Sequence, residues 1–343
     1  MPGMLTSTQR PKRVLVGIYQ LDHVGGAELY TLDLLKALHS RGDVEVEFFA
    51  INKGRLSEHV ENELGIPFMS SDQYDVILAT HNATVDAIHD RGLTVQICHG
   101  AILDLEHPSL YADYHVGITK EVCDSLSEKG YPNTMVLNGL DVEQKRPLEP
   151  VRDDLKVVLS LCQSEEANDL LAEVCNKLGV DFLHFNKHKN PIFDIQEQIN
   201  KADMVVGIGR SVYDAMACGR PCVVFDNRDY NGNRADGYLH PELFEEFVQT
   251  NCSGRYRNLT FDRDDLLREF DKYTADDGDR LRDIAVEKLN VEQTAEELLK
   301  VPELINPETR RLKNARVFRH RFKRFRKSFK QKLKGFFNIP RQA

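Results

Sequence analysis

Three features of the sequence predict an α/β chain made of two doubly wound domains that face a central cleft. Short β-rich apolar runs alternate with segments of helical periodicity, the pattern that gives parallel sheets covered by helices. The alternation stops once, at 138–154, and then restarts. The 343 residues therefore divide into two parts of ordinary domain size.

The elements follow in order. RVLVGIY (13–19) is the first strand. Gly25 and Gly26 make a tight turn, and 27–39 reads as a helix with Leu29, Leu32, Leu35 and Leu38 at helical spacing. Gly42 ends it, and VEVEFFAI (44–51) is the next strand. A helix at 57–64, a strand at 75–80, a helix at 83–92 and a strand at 94–100 continue the alternation. A strand at 115–119, a helix at 120–129 and TMVLN (134–138) complete a first domain, 12–137. The polar, proline-bearing 138–154 is the expected linker. A second domain, 155–281, opens with KVVLSL (156–161), then a helix at 166–178, DFLHF (181–185) and a helix near 194–201. The run 204–208 is a buried strand broken by Gly207 and Gly209. Ser211 is expected to cap a short helix whose first turn carries Asp214. Gly219 and Pro221 end that helix before CVVF (222–225). Beyond Phe225 the chain reads as an irregular stretch rich in Asn, Asp and Gly. Helical patterns return at 264–273 and 278–300, with closing helices at 282–309 and a tail at 310–343.

Bulk properties bound the function. Hydrophobic residues make up 41% and charged residues 29%, as in a globular chain. No run reaches the roughly 18–20 apolar residues of a membrane span. The N-terminus has no apolar core or small-residue cleavage site, so no secretory signal is expected. The seven cysteines are scattered without a CxxC pair and read as buried free thiols of a reducing compartment. The net charge of -9 hides an asymmetry: residues 310–343 hold 14 of the 45 Lys and Arg and none of the 54 Asp and Glu. An acidic body with a basic tail points to two separate jobs and away from nucleic-acid binding by the whole chain.

Two such domains leave a cleft at the carboxyl ends of their strands, where ligands of these sheets bind. Three candidates face it. The Gly25-Gly26 loop either brings backbone close to a ligand or is an ordinary tight turn; GxGxxG is absent, so no dinucleotide fingerprint is present. His99, ending its strand before Gly100, either contacts a ligand or is a hydrogen-bonded structural histidine. At 207–214 a glycine-bearing turn meets a helix N-terminus, whose free N–H groups suit an anion. Arg210, Ser211 and the amides near Gly209 are the groups for phosphate charge. Asp214 either accepts from sugar hydroxyls or favours the helix dipole. The Asp-x-Asp pairs at 262–264 and 277–279 precede helical patterns and read as caps rather than metal ligands. Arg255 and Arg257, in NCSGRYRN (251–258), either reach a donor or acceptor anion or belong to a solvated loop, the reading expected here.

At this point the motifs carry a resemblance. GGAELYTLDLLKAL (25–38) resembles the loop and first helix of retaining glycosyltransferases of the GT-B fold, family 4. NGLDVEQKRP (138–147), YDAMACGRPCVVFD (213–226) and RDIAVEKLNVEQTAEELLKV (282–301) resemble that family's linker, its LEAMACGxPVVxxD segment and its closing helices, in the family's order over roughly 12–301. The resemblance implies two Rossmann-like domains, a nucleotide-sugar donor held mainly by the second and an acceptor mainly by the first. It implies retention of configuration, no cofactor and no metal. By motif position Gly25 and Gly26 approach the donor phosphate, His99 lies near the transferred sugar, and Asp214 takes the place of the second acid of a Glu-x7-Glu motif that binds ribose. The candidate catalytic residues are His99 and Arg210; the candidate donor-binding residues are Gly25, Gly26, Gly209, Arg210, Ser211 and Asp214. Two departures stand out. Val206 occupies the position of the first Glu. The family's basic pair after the second domain's first strand is missing, with Glu165 and Glu166 close by as expected repulsion to a pyrophosphate. Arg210 stands where it can replace the lost charge. The expected activity is transfer of a sugar to a lipid-linked or cell-envelope glycan acceptor; the alternative is an inactive GT-B protein that binds a glycan or a partner.

The tail is the second signal. Phe318, Phe322, Phe325, Phe329, Leu333 and Phe336 step by 4, 3, 4, 4 and 3, one stripe of a helix ringed by Lys and Arg. Such a helix suits the surface of an anionic bilayer, with Phe318, Phe322, Phe325, Phe329, Lys323 and Arg324 as its contacts. A nucleic-acid arm and a helix packed on the body are the other readings. With the tail on a membrane, the expected location is cytoplasmic, peripheral on the inner face.

Overall fold

The computed structural model describes residues 10–186 and 194–337, with side chains at all of these except 324, 325 and 327–337. The first half holds β1 (Lys12–Gln20), α1 (Gly26–His39), β2 (Val44–Asn52), α2 (Arg55–Asn62), β3 (Tyr74–Thr80), α3 (Asn82–Ile88), β4 (Gly92–Cys98), β5 (Tyr114–Gly117), α4 (Lys120–Glu128) and β6 (Asn133–Met135). Its six strands pair in the order β2-β1-β3-β4-β5-β6, all parallel. Val14, Leu15, Val16 and Ile18 are buried on both faces of β1, which is why that strand reads as a continuous apolar run.

The second half holds β7 (Val157–Ser160), α5 (Glu165–Leu178), β8 (Asp181–His184), α6 (Gln196–Lys201), β9 (Met204–Gly207), α7 (Arg210–Ala217), β10 (Cys222–Arg228) and β11 (Gly232–Tyr238). Their order is β11-β10-β9-β7-β8, parallel except for β11, which pairs antiparallel with β10. In each sheet the order reverses beside the first strand, between β1 and β3 and between β7 and β9. These are the switch points where crevices open at the strands' carboxyl ends.

Then come α8 (Phe244–Phe247), α9 (Arg263–Phe270), α10 (Asp276–Lys288), α11 (Val291–Lys300) and α12 (Pro307–Phe337). The chain crosses back here. Val291, Ala295, Leu298 and Leu299 join the core of the first sheet, whereas Leu281 and Ala285 belong to the core of the second. At the crossing the linker and the returning chain bond to each other, Leu140 N–H to Leu289 C=O at 2.8 Å and Val291 N–H to Leu140 C=O at 3.0 Å.

Three local expectations are corrected. The irregular stretch after Phe225 is a β-hairpin: β10 runs on to Arg228, and Gly232, at φ +72°, makes the turn into β11. The helical pattern at 278–300 is two helices, because Asn290 leaves helical conformation, caps α11 and pairs with Leu140. Within the linker, Leu140, Val142 and Lys145 are buried. In α7, Gly209 is the N-cap, so Ser211 lies inside the helix and Asp214 falls beyond its first turn.

Candidate functional site

A cavity of about 330 Å³ lies between the two halves. Four of the loops that line it leave the carboxyl end of a strand: Gly25 and Gly26 after β1, His99 after β4, Leu161 and Gln163 after β7, Gly209 after β9. The sequence candidates Gly25, Gly26, His99, Gly209, Arg210, Ser211 and Asp214 all line it. Two helix N-termini meet there. Neither α1, with Gly25 as N-cap, nor α7 has a side-chain cap. A Cβ on Gly26 would lie 3.8 Å from that of Arg210, so the two ends touch. Gly209 has φ +59°, a left-handed conformation open to glycine and costly for other residues. Beside it Asn251 (φ +61°) and Cys252 (φ +45°) also take positive φ without being glycine. Such strain at a cavity wall needs support, and the Gly209 N–H donates to the Cys252 C=O at 2.9 Å.

Arg210 departs from expectation. Its guanidinium is not a free cation for phosphate. Nε donates to Asp214 at 2.8 Å, and Nη2 donates to Asp33 of α1, in the other half of the molecule. Burial works against its charge, but the Asp214 and Asp33 carboxylates raise its pKa further above the ordinary value. Lys145 from the linker adds a cation 3.9 Å from Asp214. Two more arginines line the cavity, Arg228, which carries no signal in the sequence, and Arg255. Arg228 donates to Asp226 at 2.6 Å. Arg255, expected in a solvated loop, forks across to Glu121 of α4 at 2.9 and 2.5 Å and donates to Asn231 at 3.2 Å. Glu165 and Glu166, expected to repel an anion, are absent from the lining; they open α5, and Glu166 accepts from Asn227 at 2.7 Å.

His99 sits against Tyr30 edge to face, with ring centres 4.9 Å apart. Burial lowers its pKa to about 4, so the ring is neutral near pH 7. Its backbone N–H donates to Glu106 at 2.9 Å, and His81 lies 3.4 Å from the other oxygen of that carboxylate. Burial opposes the charge of Glu106, yet the His81 hydrogen bond and its neighbours hold its pKa below the usual range. Glu106 lines the cavity and was invisible in the sequence, because it ends a single 3-10 turn, 104–106, too short to leave a periodic pattern.

The chemistry of the wall is that of a polar ligand site. Among the described residues, His99 Nε2, Asn138 Oδ1, Arg210 Nη1 and Asn251 Oδ1 are buried without a hydrogen-bond partner, and all four residues line this cavity. Buried polar atoms are almost always paired, so four at one place mark unmet capacity. No group of three or more His, Cys, Asp or Glu able to hold a metal occurs among the described residues. Asp262 caps α9, and Asp277 and Asp279 lie in the first turn of α10.

At the other end of the molecule α12 leaves the closing helices as one helix. Lys313 pairs with Asp113 at 2.7 Å, and Arg316 lies over the Tyr131 ring at 4.5 Å. Phe318 and Phe322 are 70% and 52% exposed, and Lys323 is exposed. The side chains of Arg324, Phe325 and Phe329 lie outside the described residues. No described helix is long and apolar enough to cross a membrane.

No family model and no curated protein sequence matches the chain. Solved structures do. A glycosyltransferase from Rickettsia africae ESF-5 is 12% identical, with a TM-score of 0.55 over 86% of this chain and 98% of its own. The glycotransferase of kitacinnamycin is 14% identical, with a TM-score of 0.52 over 85% and 99%. The S. aureus MnaA–UDP co-structure is 13% identical, with a TM-score of 0.50 over 84% and 95%. At such identities the likeness is one of fold: two α/β domains about a cleft, in the GT-B arrangement.

Proposed function

We propose that the chain is a metal-independent, retaining glycosyltransferase of the family 4 kind, taking a nucleotide-sugar in the cleft. The observation that carries this reading is the meeting of two uncapped helix N-termini with four unpartnered buried polar atoms at one cavity. Backbone N–H groups at Gly26 and near Gly209 suit a diphosphate, and fixed donors of this kind stabilise a leaving diphosphate without reorganising. A neutral His99 is a hydrogen-bond partner for a sugar hydroxyl rather than a proton carrier. Fold neighbours add support, since one is a complex with UDP and others are glycosyltransferases. The exposed Phe318 and Phe322 on a basic helix support work at the inner face of a membrane, on a lipid-linked or cell-envelope glycan acceptor.

The test is release of nucleoside diphosphate from a broad panel of nucleotide-sugars by the full chain. Turnover of at least one donor, reduced at least about tenfold in His99→Ala, is the expected result. No release from any donor would contradict the enzyme reading. One observation favours a second reading, an inactive GT-B binding module: Arg210, Arg228 and Arg255 each already hold a carboxylate. In that case glycans, and no nucleotide, would raise the melting temperature.

A further inference from the structure

Two carboxylates line the cavity, Asp214 and Glu106. Asp214 is already held by Arg210, with Lys145 3.9 Å away. Among the described residues no Lys or Arg pairs with Glu106, whose ion-pair partner is His81. Its Oε2 accepts from the His99 N–H at 2.9 Å, and its Oε1 faces His81 Nε2 at 3.4 Å. The backbone sets which nitrogen of His81 carries the proton. The Tyr19 N–H donates to His81 Nδ1 at 3.4 Å, so Nδ1 accepts and Nε2–H is the group turned to Glu106. His81 holds this pose on a strained backbone, φ +67° and ψ 139°, directly after β3 at the switch point of the first sheet. A residue other than glycine keeps such a conformation only where its surroundings fix it.

We infer that Glu106 is the residue that grips the transferred sugar, accepting from one of its hydroxyls, and that His81 is a positioning residue that aims it. A carboxylate has about four lone-pair sites, so the two contacts leave capacity for a ligand in the cavity. The place suits the sugar of a nucleotide-sugar. His99 packs on Tyr30, which lies one helical turn, roughly 5 Å, along α1 from the Gly26 end that suits the diphosphate. A sugar joined to a diphosphate at Gly26 therefore reaches His99 and Glu106. The chemistry agrees. Asn138 Oδ1 and Asn251 Oδ1, unpartnered in the same wall, can only accept, as Glu106 does when ionised. Hydroxyls supply the donors that these oxygens need, and a phosphate does not.

This inference rests on the cleft taking a nucleotide-sugar, and its test separates the two ideas. Titration calorimetry on the full chain compares the wild type with Glu106→Gln, His81→Leu and His81→Gln. The titrants are UDP-glucose, UDP-N-acetylglucosamine and GDP-mannose, each beside its own nucleoside diphosphate. Glu106→Gln keeps the size and an oxygen for the His99 N–H, so it keeps the test valid if His81→Leu fails to fold. The expected result is at least one nucleotide-sugar bound at least about tenfold more weakly by Glu106→Gln and His81→Leu, with its nucleoside diphosphate held within about twofold of the wild type. His81→Gln, which restores an N–H donor of similar reach, should recover the lost affinity. Nucleotide-sugars bound by Glu106→Gln as tightly as by the wild type, or weakened no more than their nucleoside diphosphates, overturn the role of Glu106 and leave the nucleotide reading standing. A loss in His81→Gln equal to that in His81→Leu overturns the positioning role of His81. A wild type that binds none of the titrants overturns the nucleotide-sugar reading and this inference together.

Discussion

His99 shows how one residue's setting decides its chemistry. Buried against Tyr30, with its pKa lowered to about 4, it is neutral near pH 7 and a weak proton acceptor there. Activity in His99→Ala should therefore fall with little change in the shape of the pH profile between pH 6 and 8; a lost inflection there would assign His99 a proton. At Gly209 a methyl group meets both a left-handed backbone and Asn251 Nδ2 at 3.3 Å. Gly209→Ala should cost roughly 1–2 kcal/mol by chemical denaturation and weaken anion binding. Residues on glycine turns and strand ends, His99 among them, are legible because backbone geometry dictates them locally. Arg228 and Glu106 were not, and Arg255 was only one of two open readings, because their significance lies in partners that no local pattern reveals.

Among the elements, β5 and α12 carry the clearest expectations. His115 on β5 is fully buried, with Nδ1 unpartnered and a pKa lowered by burial to about 3. The unfolded chain binds its proton near pH 6.5, so stability is full above that value and falls as pH drops below it. This residue alone should remove about 2 kcal/mol between pH 7 and pH 5, and His115→Gln should flatten that slope in denaturant titrations. On α12, Lys313 and Arg316 fix the base of the helix while Phe318 and Phe322 face outward. Changing both phenylalanines to Ser should weaken binding to phosphatidylglycerol vesicles at least about tenfold and leave the melting temperature within about 1 °C. Unchanged vesicle binding would remove the membrane proposal. The helix was legible from its aromatic spacing. The β10–β11 hairpin was not, because β11 is an edge strand of polar residues whose Asn231-Gly232 turn reads equally well as loop.

For the whole molecule, the two sheets and the break between them could be read from alternating periodicity, since parallel strands buried on both faces leave continuous apolar runs. The return of α11 to the first core could not, because an amphipathic helix does not name the sheet it covers. That return closes the molecule around the crossing at Leu140 and sets the cleft between two sheets rather than on one. The central claim is that this cleft takes a nucleoside diphosphate group. The most direct measurement is thermal unfolding of the full chain with each common nucleoside diphosphate, beside Gly26→Leu, which places a side chain at the meeting of the two helix ends. At least one nucleotide should raise the wild-type melting temperature by about 5 °C or more at saturation, and none should do so in Gly26→Leu. A wild-type melting temperature unmoved by every nucleotide would contradict the claim.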